Sequence, residues 1–465
     1  MIDMGVMKNR ISIGLLLAAV MAFWGAGRSH DELRRLRGAY RIDLGEPLEN
    51  VPPLVAFSTV ALGGFSGIIA NYLWYRSARM QREGRFFEVA QLADWITKLE
   101  PRFIEAWVYQ AWNMSYNISV IFQNPEERWR WVRHGMHLLR NEALRYNPAN
   151  PILHRELAWL FFHKIGGDTD AAHAYYKRAW ASEMSRLFEG GLLDYEAIEH
   201  LPPEQIRRMR EEYRLRPDIM QEIESVFGVM DWRLPQPHAV YWLWRGRPHA
   251  RDFELLAHDR LIFQSMADMF YTGRHIHVEP ENLFLAEPLL EALPGALTAF
   301  ERAVQEHPDV ESVRISHSVF LHRATLVLYQ HDQKDRAREL FLQLHERYPN
   351  EWTALGFELF LFHEYLVDHT ELSDEKVMQA IRQAFFDSYF WKALEHPDRA
   401  DGHRNLALLC WRLFMEPRLS DPLYRERMEH RPSLNDLRQE ALRDVLAQFQ
   451  TEAVRSRLNQ MDSTP

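Results

Sequence analysis

The sequence predicts an all-α protein, a right-handed α-solenoid of irregular helical hairpins carried behind an N-terminal apolar anchor helix. Three observations predict it. A phrase of small and aromatic residues recurs at helical spacing, as Ala296, Phe300, Ala303 and again as Ala337, Phe341, Leu344, with Ala172, Tyr176, Ala179 earlier. Pro308 and Pro349 follow the two later copies five residues on, where a residue unable to donate the next hydrogen bond ends the helix. No sustained apolar/polar alternation, the mark of half-buried strands, runs through the 465 residues.

The chain opens with Lys8 and Arg10 before Ile11 to Gly27, a 17-residue stretch without charge, which is the layout of a signal-anchor. Phe23 and Trp24 crowd the one small-residue cleavage region, Gly25-Ala26-Gly27, so residues 1–30 are read as an uncleaved single-pass anchor and 31–53 as a linker. Arg28, Arg34, Arg35, Arg37 and Arg41 outnumber the preceding charges, and a strict positive-inside count leaves the large domain in the cytoplasm. Long domains cross regardless of such counts, and the expectation is an exported, periplasmic soluble domain. A second apolar stretch, Leu54 to Tyr75, is long enough to span on length alone. Gly63, Gly64, Gly67 and Asn71 interrupt it, and it reads as the helical entry to the first hairpin.

From 54 to 200 the pattern is an N-terminal array, from 201 to 290 an irregular helical middle, and from 291 to 465 a C-terminal array with a closing helix. Gly84, Phe86, Ile96 and Pro101 give a divergent copy of the phrase; Ile104, Trp107, Ala111 and Met114 open its successor, which Ala143 and Pro148 close. Prolines 101 and 148 are 47 residues apart and prolines 308 and 349 are 41 apart, against about 34 for an unadorned unit. The extra stretch after Asn124-Pro125, with Trp129 and Trp131, is read as an inserted turn. Small residues admit the neighbouring helix, the aromatic fills the gap between hairpins, and the proline stops the chain. At those positions the chain resembles the tetratricopeptide family, in which this phrase belongs to the second helix of each unit.

The stretch Leu62-Gly63-Gly64-Phe65 through Ala70-Asn71-Tyr72-Leu73-Trp74-Tyr75-Arg76 also resembles the opening of a group of bacterial membrane-anchored tetratricopeptide-like proteins. The resemblance runs on through Thr97-Lys98-Leu99-Glu100-Pro101 and Ala111-Trp112-Asn113-Met114, about a quarter of the chain. In that group an acid stands where this chain has Asn71. The resemblance implies a fold and an anchor, and no reaction.

In the middle, Pro202-Pro203 starts a charged helix and Pro217-Asp218 another that stops near Gly228. Asp231, Trp232, Arg233, His238, Tyr241 and Trp242 form the most aromatic and least repeat-like part. Pro235 and Pro237 predict an extended approach to a short helix from His238 to Trp244, followed by a long helix from about Arg251 to Tyr271. At the C-terminal end Leu434, Leu437, Ala441, Val445 and Phe449 make one stripe behind a Ser433/Asp436 capping box. This closing helix is expected to cover the last apolar face of the array.

Composition narrows the function. Apolar content of 47%, with 15 Trp, 17 Tyr and 26 Phe, fills a packed interior. The net charge of −10 is spread along the chain without a long basic run, which excludes nucleic acid as the expected partner. One cysteine, Cys410, allows no internal disulfide. Among 22 histidines, His275 and His277 with Glu279 make an alternating triad short of a full ligand set. Phosphate-loop, dinucleotide, nucleophile-elbow, zinc-protease and haem-attachment motifs are absent. No catalytic, cofactor or metal residue is therefore expected, and no small-molecule substrate.

The expected function is a membrane-anchored scaffold whose groove takes an extended peptide or helix of a protein partner. Trp107, Asn113, Tyr116 and Asn117 are the expected groove residues, the two amides pairing with a peptide backbone. A ligand- or metal-binding module or enzyme built on 231–244 and 275–279 is the alternative, and a self-associating structural subunit is a third reading.

Overall fold

The computed structural model describes Arg28 and residues 66–196, 198, 201–278, 283–366, 373–422 and 431–449. The expected anchor (Arg28 apart), the linker, the apolar residues before Ser66, Glu279 and the chain beyond Phe449 lie outside the described residues. The described chain is mostly helical. No helix among the described residues is long and apolar enough to cross a membrane. Backbone contacts divide the chain into two compact units: one runs to Leu160 and also holds Arg207–Arg214, and the other holds Phe161–Ile206 and the chain from Leu215 on.

The first unit contains α1 (Ser66–Arg82), α2 (Phe86–Leu99), α3 (Ile104–Trp112), α4 (Pro125–His137) and α5 (Pro151–Trp159). α1 and α2 pack as a hairpin around Ala70, Leu73, Met80, Val89, Leu92, Ile96 and Leu99. α3 runs on through a π-helical turn, Asn113–Ile118, and α4 through another, Leu138–Ala143. Such wide turns insert one residue into the helical repeat and re-aim the side chains that follow. Asn124 and Asn150 cap α4 and α5 by accepting from Glu126 N at 2.8 Å and Leu153 N at 3.1 Å, each ahead of a proline whose missing N–H is not needed in a first turn. α4 is a regular helix packed against α3, with Trp129 in the core. The reading of Trp129 and Trp131 as an inserted turn is corrected: they belong to the second helix of a hairpin.

The second unit contains α6 (His173–Met184), α7 (Pro217–Phe227), α8 (Pro235–Gly246), α9 (Asp252–Thr272), α10 (Leu293–Glu306), α11 (Glu311–Gln330), α12 (Lys334–Arg347), α13 (Phe357–Leu366), α14 (Asp374–Ala393), α15 (Pro397–Cys410) and α16 (Leu434–Gln448). The recurring phrase is buried as its spacing predicts: Ala296, Phe300 and Ala303 on α10, Ala337, Phe341 and Leu344 on α12. Phe300 stacks between Phe263 at 4.4 Å and Phe320 at 4.7 Å, filling the space that the small residues leave. Ala172 and Tyr176 are buried too, whereas Ala179 is only partly so.

Two readings of the middle are corrected. Helix α8 begins at Pro235 itself, because both prolines sit in the first turn and extended Leu234 takes the restricted position before them. The chain is also not purely helical: β1 (Arg274–Val278) and β2 (Leu283–Glu287) pair antiparallel with His275 opposite Ala286 and His277 opposite Phe284. Five residues of alternation are too few to stand out in a sequence window.

The closing helix α16 packs on α14 with Leu437, Ala441, Leu442 and Val445 buried, and Arg438 Nε donates to Tyr389 Oη at 2.7 Å. Its capping box is complete, Ser433 Oγ accepting from Asp436 N at 3.2 Å and Asp436 Oδ2 accepting from Ser433 N at 2.8 Å. Ser433→Ala is expected to lower stability by about 1 kcal/mol, read from the urea unfolding midpoint.

Candidate peptide-binding groove

In the first unit α1, α3 and α5 present one side each to a cleft of about 640 Å³. Its apolar lining is Trp74 from α1, Ile104, Val108, Tyr109 and Trp112 from α3, and Ile152 from α5. Polar groups are few and placed: Gln81, Glu105, Asn113, Asn117 and Glu156. A mostly apolar cleft of this size with a small number of oriented polar groups is the usual form of a binding site.

The aromatic and amide groups of the lining are held by their neighbours. Tyr109 Oη donates to Gln81 Oε1 at 2.6 Å, and the Trp74 ring lies 5.1 Å from Tyr109 and 5.4 Å from Phe103. Trp112 Nε1 donates to Glu156 Oε2 at 2.8 Å, while Tyr116 stacks on the same indole at 4.5 Å. Trp112 is 37% exposed, so a ring fixed on two sides still offers surface to a ligand. Glu156 is itself oriented by Arg155 at 3.2 Å. The π-helical turn places the two amides in sequence: Asn113 Nδ2 donates to Phe86 O at 3.1 Å, and Asn117 Nδ2 donates to Asn113 Oδ1 at 3.1 Å. Asn113 is buried and thus a positioning group, and the part-buried Asn117 reaches the cleft with its carbonyl oxygen unused by any described residue.

Of the expected groove residues, Asn113, Asn117 and Tyr116 therefore meet at or beside one cleft. Trp107 does not: it is 2% exposed, its Nε1 donates to Pro101 O at 2.9 Å, and its ring stacks on Tyr146 at 6.2 Å. Trp112, Trp74, Ile152 and Glu156 line the same cleft, although no spacing in the sequence assigns them to a groove. Trp112 lies off the Trp107, Ala111, Met114 stripe and was the available signal.

The segment from Asp231 to Trp244 is a core. Trp232, His238, Tyr241 and Trp242 are buried. His238 Nε2 shares a hydrogen bond with Trp232 O at 2.8 Å and its ring is enclosed by Phe161 at 5.2 Å and Trp180 at 4.8 Å. Trp232 Nε1 donates to Glu224 Oε1 at 2.7 Å, Tyr241 Oη accepts from Arg216 N at 2.9 Å, and Arg233 forks onto Asp231. Gly191, at φ 85°, runs so close that an added Cβ would lie 1.9 Å from Asp231 Oδ1. The indole of Trp232, the ring of His238 and the hydroxyl of Tyr241 thus bond to neighbouring groups of the same core.

His275 is half-buried on β1 against Phe284, and loss of solvent holds its imidazole down to about 4, so it is neutral at pH 7. No group of three or more His, Cys, Asp or Glu among the described residues is placed to hold a metal ion. A second cleft, of about 410 Å³, lies in the second unit between the hairpin and the start of α15. Two ion pairs lie in its lining, Arg399 with Glu287 at 3.1 Å and Arg274 with Glu291 at 3.4 Å. Arg399 also lies 3.6 Å over the Trp391 ring, a cation–π contact.

Fold and cleft together define a protein of packed helices with an aromatic groove on its first unit. Neither protein-family models nor curated proteins give a match to this chain.

Proposed function

We propose that the chain is a membrane-anchored, non-catalytic scaffold: a right-handed α-solenoid of tetratricopeptide-like hairpins whose groove on α1, α3 and α5 takes an extended peptide or helix of another protein. One observation carries the reading. Three alternate helices along the chain, α1, α3 and α5, contribute to a single cleft that joins a partly exposed indole to an amide oxygen unused by any described residue. The indole supplies buried apolar area at small entropic cost, and the Asn117 oxygen accepts from a backbone N–H. Exposed Glu105 at the rim favours a lysine or arginine beside the ligand's apolar anchor. The exported side and the single N-terminal anchor remain part of this proposal, with nucleic acid, metal, cofactor and small-molecule substrate outside it.

Selection of a displayed peptide library on the full-length protein tests the groove. Peptides with a large apolar anchor are expected, and Trp112→Ala is expected to weaken them by at least tenfold, Asn117→Ala by about threefold to tenfold, with unchanged far-UV circular dichroism. Peptides indifferent to both substitutions would contradict the proposal.

A further inference from the structure

We infer that the outward face of α1 is a lipid-docking surface that seats on an anionic bilayer. Ile68, Tyr72 and Tyr75 are 63%, 62% and 68% exposed, and they continue into exposed Arg79 and Arg82 at spacings of four and three residues. That spacing puts all five side chains on one side of the helix, opposite Ala70, Leu73 and Met80 in the core. A helix that turns an isoleucine and two tyrosines to solvent while its other side is already packed has a partner to find.

Charge selects the partner. α1 contains Arg76, Arg79 and Arg82 and no Asp or Glu in 17 residues, within a chain of net charge −10. Arg76 and Arg82 have no ion-pair partner among the described residues, and Arg79 meets only the solvent-exposed Glu83 at 3.0 Å. The order along the sequence is also that of a bilayer boundary. No charge occurs from Asn50 to Tyr75, a run that ends on the two tyrosines, and the arginines follow from Arg76 at headgroup level. Ile68 to Tyr75 rises about 10 Å, the depth over which aromatic rings occupy the membrane–water boundary. A second copy of the chain fits less well, since a parallel pairing of this face would set arginines against arginines.

This surface stands independently of the groove's ligand, although Trp74 and Gln81 on the same helix line that groove. Docking would hold the groove's first wall at the membrane.

The test uses the full-length chain with a spin label on Tyr72→Cys or Tyr75→Cys, reconstituted at one chain per nanodisc of phosphatidylcholine and phosphatidylglycerol at about three to one. Buried Cys410 is the one other thiol, and Val229→Cys, at a site 73% exposed, is the aqueous reference. Labels at 72 and 75 are expected to be several-fold less accessible than the 229 label to a water-soluble nickel quencher and more accessible to oxygen. Discs of phosphatidylcholine alone, or Arg76, Arg79 and Arg82 all changed to Gln, should remove most of that protection. Labels as open to nickel as position 229 would overturn the inference, as would protection indifferent to phosphatidylglycerol or present only when two chains share a disc. Peptide binding measured in the same discs reports the groove separately.

Discussion

Gly402→Val is expected to prevent the second unit from folding stably, and Gly402→Ala to cost about 2 kcal/mol. Gly402 lies in α15 where that helix crosses the end of α11, and an added Cβ would fall 2.2 Å from the Gln330 carbonyl oxygen and 2.8 Å from the Asp332 amide nitrogen. Both are backbone atoms, so no side chain can turn aside, and the helices must separate. Asp332, at φ 55°, is pinned there by Asn405 Nδ2, which donates to its Oδ1 at 3.0 Å. Alanine is the better helix former by about 1 kcal/mol, so the sign of the Ala variant decides between propensity and packing. Gly67→Ala is the control, because its nearest atom would be Glu100 Oε1 at 3.9 Å. Urea unfolding should show Gly67→Ala neutral or slightly stabilised and Gly402→Ala clearly destabilised; a gain at both positions would sink the close-approach argument.

Acid is expected to unfold the second unit between pH 6.5 and about 4. Burial holds the imidazoles of His275, His317 and His331 down to about 4 and that of His403 to about 3, from an ordinary value of 6.5. Between those values the rings are neutral when folded and charged when unfolded. The unfolded chain then binds more protons, so this contribution is complete above pH 6.5 and is lost as pH falls toward the folded values. Asp387 acts in the opposite sense. Burial lifts its carboxyl from 3.8 to about 6, so its contribution is complete below pH 3.8 and fades as pH rises through 6. His403 lies 3.7 Å from Asp387, too far for a hydrogen bond, and both ring nitrogens are unsatisfied. Below about pH 6 that pair is a neutral acid beside a neutral base. Burial raises the carboxyls of Glu224, Asp268 and Glu287 in the same sense as that of Asp387. The four rings are expected to outweigh these carboxyls, each ring being worth about 3 to 5 kcal/mol at most. Circular dichroism against pH should show the loss, with His403→Leu moving the midpoint to lower pH. A signal flat from pH 7 to pH 4 would contradict the neutral-core account.

How far the sequence carried these conclusions differs from element to element. The faces of α10 and α12 were legible because a period of three and four, closed by proline, has one physical solution. The α16 cap was legible for the same reason, its donors and acceptors being local. The two tryptophans of α3 were not, since Trp107 and Trp112 both lie on apolar sides of one helix and only tertiary packing decides which is covered. The π-helical turn at Asn113–Ile118 leaves no periodic trace, yet it brings Asn117 to the cleft. Groove residues Trp74 and Glu156 stand far apart in the chain, and no spacing rule joins them. Aromatic density misled at Asp231 to Trp244, because tryptophans beside prolines mark a rigid core as readily as a site.

The central claim is that the α1, α3, α5 cleft holds a protein ligand, and site-specific photocrosslinking in native membranes tests it most directly. A photoreactive phenylalanine analogue at Val108 or Tyr116 is compared with one at Val229 in the full-length chain. The account predicts one foreign protein crosslinked at near-equal amount from the two groove positions, absent from position 229 and lost on Trp112→Ala. Crosslinks to the chain's own copies alone, or the same products from all three positions, would contradict it.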